Sequence, residues 1–377
     1  MRLREALKTG LNTLVENRVP SPQLAAELLL MHVVGCDRGY LYAHPEVELP
    51  GPAANRYFLL IAERSTGKPT QYITGHQEFW GLDLEVTPDV LIPRPETEHV
   101  VEAVLDLARR NGLGREAPLR MVDVGTGSGC IALSLAAEFP RATLWATDIS
   151  RPALAVASRN AARLGMAGRV TFVESDLLTC FLAARASEPA GCGETLPNAV
   201  IPSPSPCHSE RSEESLHFAQ GELREESRLA SQDLRASSSS AAPRNDELDS
   251  LSRNRLAFDG NFPGTFDFVV SNPPYVGAKE LDSVQREVRE FEPQVAWGGA
   301  GRGDEIYRRL IPQALAVLKP GGWLIVEIGY NMGDAVPALF GDGWTDVEVR
   351  PDLAGIPRVV LARKGWVLGA GCLGLGL

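Results

Sequence analysis

Asn272, Pro273, Pro274 and Tyr275 follow the apolar run 266–270 (FDFVV) after a single serine. A strand there would deliver them to the carboxyl edge of a parallel sheet, the side on which such sheets bind ligands. Two successive prolines remove two N–H donors and fix φ, so the turn offers carbonyl oxygens, and Asn272 adds a side-chain oxygen. Two neighbouring acceptors match the two hydrogens of an NH2 group. Tyr275 supplies a flat face on which a planar amide or base can stack. Taken alone, the four residues also suit a plain proline turn opened by asparagine.

A second constellation lies upstream. VDVGTGSGC at 122–130 reads as a strand entering a glycine loop, Gly125-Thr126-Gly127-Ser128-Gly129, that opens a helix. Such a loop lets the backbone approach a ligand closely. By itself it fits any tight strand-to-helix turn or a dinucleotide site. About twenty residues on, Asp148 ends the next strand, where a carboxylate accepts from both ribose hydroxyls. Asp176, ending a third strand in ESDLL, could reach an adenine amino group. The order points to an adenosine-containing cofactor, and the GxGxG spacing is tighter than the GxGxxG of dinucleotide enzymes. Arg94 and Glu96 in LIPRPETE either close over that cofactor or form a charged linker pair.

These residues need a frame. From Leu119 the chain alternates strand and helix patterns (LRMVDVG, IALSLAAEFP, TLWATDIS, PALAVASRNAARLG, VTFVESD), which predicts an α/β fold with a parallel sheet covered on both faces. The strands WLIVEIG, DVEVRP and RVVLAR are expected to close it with an antiparallel edge. Residues 1–73 read as a helical domain. Leu3, Leu7, Leu11 and Leu14 share a helical face, Ser21-Pro22 should cap a helix that Gly35 stops, and another runs from about Pro52 to Ser65. Residues 74–112 read as hairpin and linker, with QYITGHQEFWGLDLEVTP alternating around Gly75 and Gly81, and 113–363 as the sheet domain. Within it, 181–262 is rich in Ser, Arg and Glu and reads as a disordered insertion. The tail 364–377 is assigned no role.

The formal charge of −11 argues against stable nucleic-acid binding through a broad basic surface. A protein or small-molecule substrate is the expectation. The 6 cysteines form no CxxC pair and do not cluster with histidines at zinc spacing, so no metal is expected and the thiols suit a reducing cytoplasm. The stretch MRLREALKTGLNTL has no long apolar core or small-residue cleavage site, so no secretory signal is expected, and the tail is too short to be expected to span a bilayer.

Together, TQYITGHQEFWGLDLEVTPDVLIPRPETE, VDVGTGSGCIALSLA, SNPPYV and EVREFEPQVAW resemble the peptide chain release factor N5-glutamine methyltransferases, the PrmC or HemK family. The resemblance covers nearly all of the chain outside 181–262 and the tail. It implies a helical N-terminal domain that grips the release factor and a seven-stranded, Rossmann-like class I methyltransferase domain. It further implies S-adenosyl-L-methionine as cofactor and the glutamine of the release factor's GGQ motif as acceptor. Cofactor binding carries over onto Gly125, Thr126, Gly127, Ser128, Gly129, Asp148 and Asn272, with Asp176 and Leu177 toward the adenine. Leu177 departs from the family, where an aromatic is common. Substrate binding carries over onto Asn272, Pro273, Pro274 and Tyr275, with catalysis resting on Asn272, Pro273 and Tyr275. The rivals are a ribosomal-protein glutamine methyltransferase, an N6-adenine or N2-guanine nucleic-acid methyltransferase, and a cofactor-binding scaffold without activity.

Overall fold

The computed structural model describes residues 1–182, 264–298 and 301–366. All but the first two residues of the expected insertion lie outside the described residues, as do residues 367–377 of the tail. The chain begins with α1 (Leu3–Glu16), α2 (Pro22–Val34), α3 (Arg38–Ala43), α4 (Gly51–Ser65) and α5 (Thr70–Thr74). Leu3, Leu14, Leu29, Leu30, Tyr57 and Ile61 meet in one core, and a fully buried leucine or isoleucine stabilises by roughly 1.5–3 kcal/mol. Helices α1 and α4 approach closely because Gly10 has no Cβ, which would lie 2.2 Å from the Tyr57 hydroxyl. Gly35, at φ 72, ends α2 as expected, but Ser21 does not cap its start. An N-cap hydroxyl reaches the first turn from extended backbone, whereas Ser21 is left-handed at φ 46.

The expected hairpin is shorter than the alternating pattern. QYIT belongs to α5, which Gly75 ends at φ 80, and only β1 (His76–Phe79) and β2 (Leu82–Glu85) pair. Trp80 and Gly81 turn between them at φ 55 and 73, the two positive angles a type I′ turn requires. Glu98 accepts from the Trp80 amide at 2.9 Å, and Glu138 from its indole N–H at 3.0 Å, which holds the tryptophan in that backbone state. Residues 98–110, read as linker, form α6 (Glu98–Arg110). Its stripe of Val100, Val104 and Leu107, at helical spacing, is buried against the sheet.

The sheet contains β3 (Arg120–Val124), β4 (Thr143–Asp148), β5 (Val170–Glu174), β6 (Phe266–Ser271), β7 (Leu318–Glu327), β8 (Trp344–Pro351) and β9 (Pro357–Lys364) in the order β5-β4-β3-β6-β7-β9-β8. Strands β3 to β7 are parallel, and β9 is antiparallel to both neighbours. The antiparallel strand therefore sits one place inside the edge. The reason is apolarity: Val359 to Ala362 of β9 are buried, whereas the more polar β8 is largely exposed at the rim. α6, α7 (Cys130–Glu138) and α8 (Arg151–Arg163) share one core with Met121, Phe268 and Val270. α9 (Thr179–Leu182) and α12 (Glu305–Val317) pack on the other face with Val122, Val269 and Leu324. Phe181, the first residue of the expected insertion, belongs to α9 and is fully buried. The short α10 (Arg286–Phe291) and α11 (Gln294–Trp297) lie between β6 and α12. The chain runs outward from β3 to β5 and returns to β6, so the β3/β6 pair is the switch point that opens a ligand crevice.

Candidate active site

At that switch point the glycine loop leaves β3 with Gly125 at φ 72, Gly127 at φ 54 and Gly129 at φ 85, angles that side chains rarely adopt. Asp123 braces the turn from beneath, accepting from Thr126 Oγ1 at 2.7 Å and from the Ala132 amide at 3.2 Å. Burial pushes its carboxyl up to about 7. Asp148, ending β4, accepts from the Gly127 amide through Oδ2 and from the Ser150 amide through Oδ1, both at 2.9 Å. Burial raises the Asp148 carboxyl above its ordinary value, against the pull of these backbone donors. The loop, Asp148, Asp176 and Leu177 line one cavity with Ile149 and Ile306. Gly129 is not among its lining residues. A Cβ there would meet Ala157 Cβ and Leu133 Cδ1 at 3.2 Å, so this glycine serves helix packing. Asp176 is ion-paired with Arg309 across the cavity mouth.

The Asn272 tetrapeptide enters the same cavity from the next strand. Val124 pairs with Ser271, and the Ser271 hydroxyl donates to the Val124 carbonyl at 2.7 Å. Asn272 therefore emerges beside Gly125. Beyond it, the Val276 amide donates to the Trp297 carbonyl at 3.1 Å. Gly303 allows the approach, since a Cβ there would stand 2.4 Å from the Tyr275 carbonyl oxygen. A second cavity lies behind the turn, walled by Tyr275, Val276, Val284, Val288 and Trp297. Leu91, Arg94, Asn272, Pro273, Pro274 and Ala296 line both cavities. Tyr275 lines only the second. Asn272, Pro273 and Pro274 are thus the partition between the cavity at the glycine loop and a second pocket walled mainly by apolar side chains.

Residues 5–75 match the family model described as the PrmC N-terminal domain, and 121–187 match a methyltransferase domain. The release factor glutamine methyltransferase of Koribacter versatilis is 42% identical over 364 residues, spanning 97% of this chain and 99% of that relative. The chain belongs to the release factor glutamine methyltransferase family. Relatives of the same name from Moorella thermoacetica and Nitratidesulfovibrio vulgaris are 36% and 32% identical, covering 97% and 96% of this chain and 99% and 95% of their own lengths.

In this family member the sequence reading missed Thr97, Glu327 and Glu292, which hold the partition. Thr97 accepts from Asn272 Nδ2 at 2.9 Å and donates to Glu327 Oε2 at 2.6 Å. Glu327 also accepts from the Tyr275 hydroxyl at 3.3 Å. Burial pushes its carboxyl up to about 7 and raises the Tyr275 hydroxyl. Arg94 pairs with the buried Glu292 at 2.5 Å, so it is neither a solvated linker charge nor a partner of Glu96. The available signal was an acidic residue within an apolar strand, WLIVEIG, where only a satisfied partner makes burial affordable.

Proposed function

We propose that the protein transfers the methyl group of S-adenosyl-L-methionine to the side-chain amide nitrogen of the GGQ glutamine of peptide chain release factors. The observation that carries this reading is the partition: one set of residues, Asn272 to Pro274, faces the cavity at the glycine loop and an apolar side-chain pocket at once. The cofactor fits the first cavity on three counts. Gly125 and Gly127 leave open space where a Cβ would stand. The Asp148 carboxylate has used one lone pair on each oxygen, so two remain for ribose hydroxyls. Leu177, Ile149 and Ile306 offer apolar faces to a base, with Asp176 toward its amino group.

When bound, the cofactor supplies an electrophilic methyl on sulfonium. The chain's residues do the rest by alignment. The apolar walls of the second cavity suit the aliphatic stem of glutamine, and Tyr275 stacks on the amide plane. Asn272 Oδ1 and the Pro273 carbonyl accept the two N–H hydrogens and stabilise the positive charge that grows on nitrogen as it takes the methyl group. One of those hydrogens then leaves as a proton to water to give the neutral N-methyl amide. The helical domain, α1 to α5, grips the release factor; Arg64 of α4 ties it to α10 through Glu287. Among the described residues no helix is long and apolar enough to cross a membrane.

The test is methyl incorporation from radiolabelled cofactor into purified release factor, ribosomal protein and DNA in parallel. Label in the release factor, lost when its GGQ glutamine is replaced, is the expected result. Label in DNA and in neither protein overturns the substrate assignment.

A further inference from the structure

We propose that Glu327 is a positioning residue for methyl transfer, setting through the Thr97 hydroxyl which end of the Asn272 amide meets the acceptor and, through the Tyr275 hydroxyl, where the stacking ring lies. The inference rests on the reading of Asn272 as an acceptor for an NH2 group. Glu327 closes β7 and is 1% exposed, so its carboxyl is satisfied by protein groups. An ionised carboxylate only accepts. The single Thr97 hydrogen therefore goes to Glu327 Oε2, and lone pairs alone remain to face Asn272. They attract Nδ2–H, which stands 2.9 Å away, and repel Oδ1. The amide is held with its oxygen as the end available to the substrate.

A neutral Glu327 removes that direction. Its carboxyl hydrogen can go to Thr97, the Thr97 hydrogen can go to Asn272 Oδ1, and the amide then presents Nδ2–H to the acceptor, donor against donor. Charge at Glu327 thus decides the polarity of a chain of hydrogen bonds that ends at the reacting nitrogen. The groups that face it are Glu96 and Thr97 from the turn before α6, Tyr275 from the loop after β6, and Cys130 from α7. Tyr307 of α12 donates to its main-chain carbonyl at 2.7 Å, and the Arg358 guanidinium of β9 favours its charged form. Burial outweighs Arg358 and the hydroxyl donors, which brings the change of charge to about 7, within reach of ordinary assay conditions.

The experiment is single-turnover methylation of a release factor at saturating cofactor, read from about pH 6 to pH 9, a range that brackets this titration. Wild type should lose rate as pH falls through about 7. Glu327→Gln keeps shape but not the acceptor-only character, so its rate should drop roughly tenfold to a hundredfold on the high-pH plateau, and the pH limb should vanish. Cofactor affinity, read by titration, should stay within about twofold, because the loop contacts are untouched. Thr97→Val should fall to a similar rate, Thr97→Ser should recover most of the loss, and the double variant should fall no further than the worse single one. Near-normal rate in Glu327→Gln with the limb retained overturns the proposal. A turnover-free measurement separates it from the substrate reading: in the protein alone, the Asn272 side-chain NH2 resonances should shift with the Glu327 carboxyl resonance through one pH transition. Their independence overturns the positioning role, whereas failure of release factor methylation with that coupling intact counts against the substrate alone.

Discussion

The two sides of the partition are built differently. On the cofactor side carboxylates accept from the glycine loop and its neighbours, at most 21 residues away: Asp123 from the Thr126 hydroxyl and the Ala132 amide, Asp148 from the Gly127 and Ser150 amides. On the acceptor side the contacts run between side chains from distant segments: Asn272 to Thr97, Thr97 to Glu327, Arg94 to Glu292. A loop held by its own strand neighbours keeps its shape as soon as β3 and β4 pair. An amide held through Thr97 and Glu327 is correct only once α6, β6 and β7 have all docked. Cofactor binding should therefore tolerate damage to the acceptor side, while turnover should not.

The largest effect expected is at Asn272. Asn272→Ala removes one of two acceptors at a developing charge and should lower single-turnover methylation by on the order of a hundredfold or more, with cofactor affinity little changed. Asn272→Asp keeps an oxygen acceptor and should retain more rate than the alanine variant. Normal turnover in Asn272→Ala would erase the distinction between the two sides. The reciprocal break is Asp148→Ala, which should weaken cofactor binding by about 1–3 kcal/mol through lost charge-assisted hydrogen bonds; calorimetry reads it directly, and an unchanged affinity removes Asp148 from the site.

A third prediction sets stability against function. The folded protein holds the Glu327 proton up to about 7, whereas an unfolded glutamate releases it near about 4.3. The folded state therefore carries the extra proton between those values and loses stability as pH rises through them. From about pH 5 to pH 8, wild type should lose about 2 kcal/mol relative to Glu327→Gln, measured by denaturant unfolding at each pH. Parallel curves would mean that Glu327 is not held neutral by burial. The smallest effect belongs to Arg309→Ala. Its pair with Asp176 is about half exposed on both partners, so stability should move by less than about 0.5 kcal/mol, and a larger loss on melting would give that ion pair a structural weight that surface pairs rarely have.

The glycine loop, Asp148 and Asn272 to Tyr275 could be found in the sequence because each is a contiguous pattern whose type and spacing follow from one strand end. The α/β alternation was equally readable, since buried parallel strands are near-continuous apolar runs. α6 was missed as linker because it follows a proline-rich, charged stretch, although its buried valines keep helical spacing. The place of β9 inside the sheet depended on which of two strands was the more apolar, a comparison between elements that no single segment contains.

By itself, then, the sequence determined the strand–helix alternation from β3 onward, the glycine loop after β3 and the place of the Asn272 tetrapeptide at a strand end, because these depend on local backbone constraint and on neighbours along the chain. Only the tertiary structure decided that Thr97 and Glu327 stand behind Asn272, that Arg94 answers to Glu292, and that Gly129 packs a helix while its neighbours line the cavity. Those outcomes join residues up to 230 positions apart, and a hydrogen bond's partner at such separation is chosen by which surfaces burial brings together.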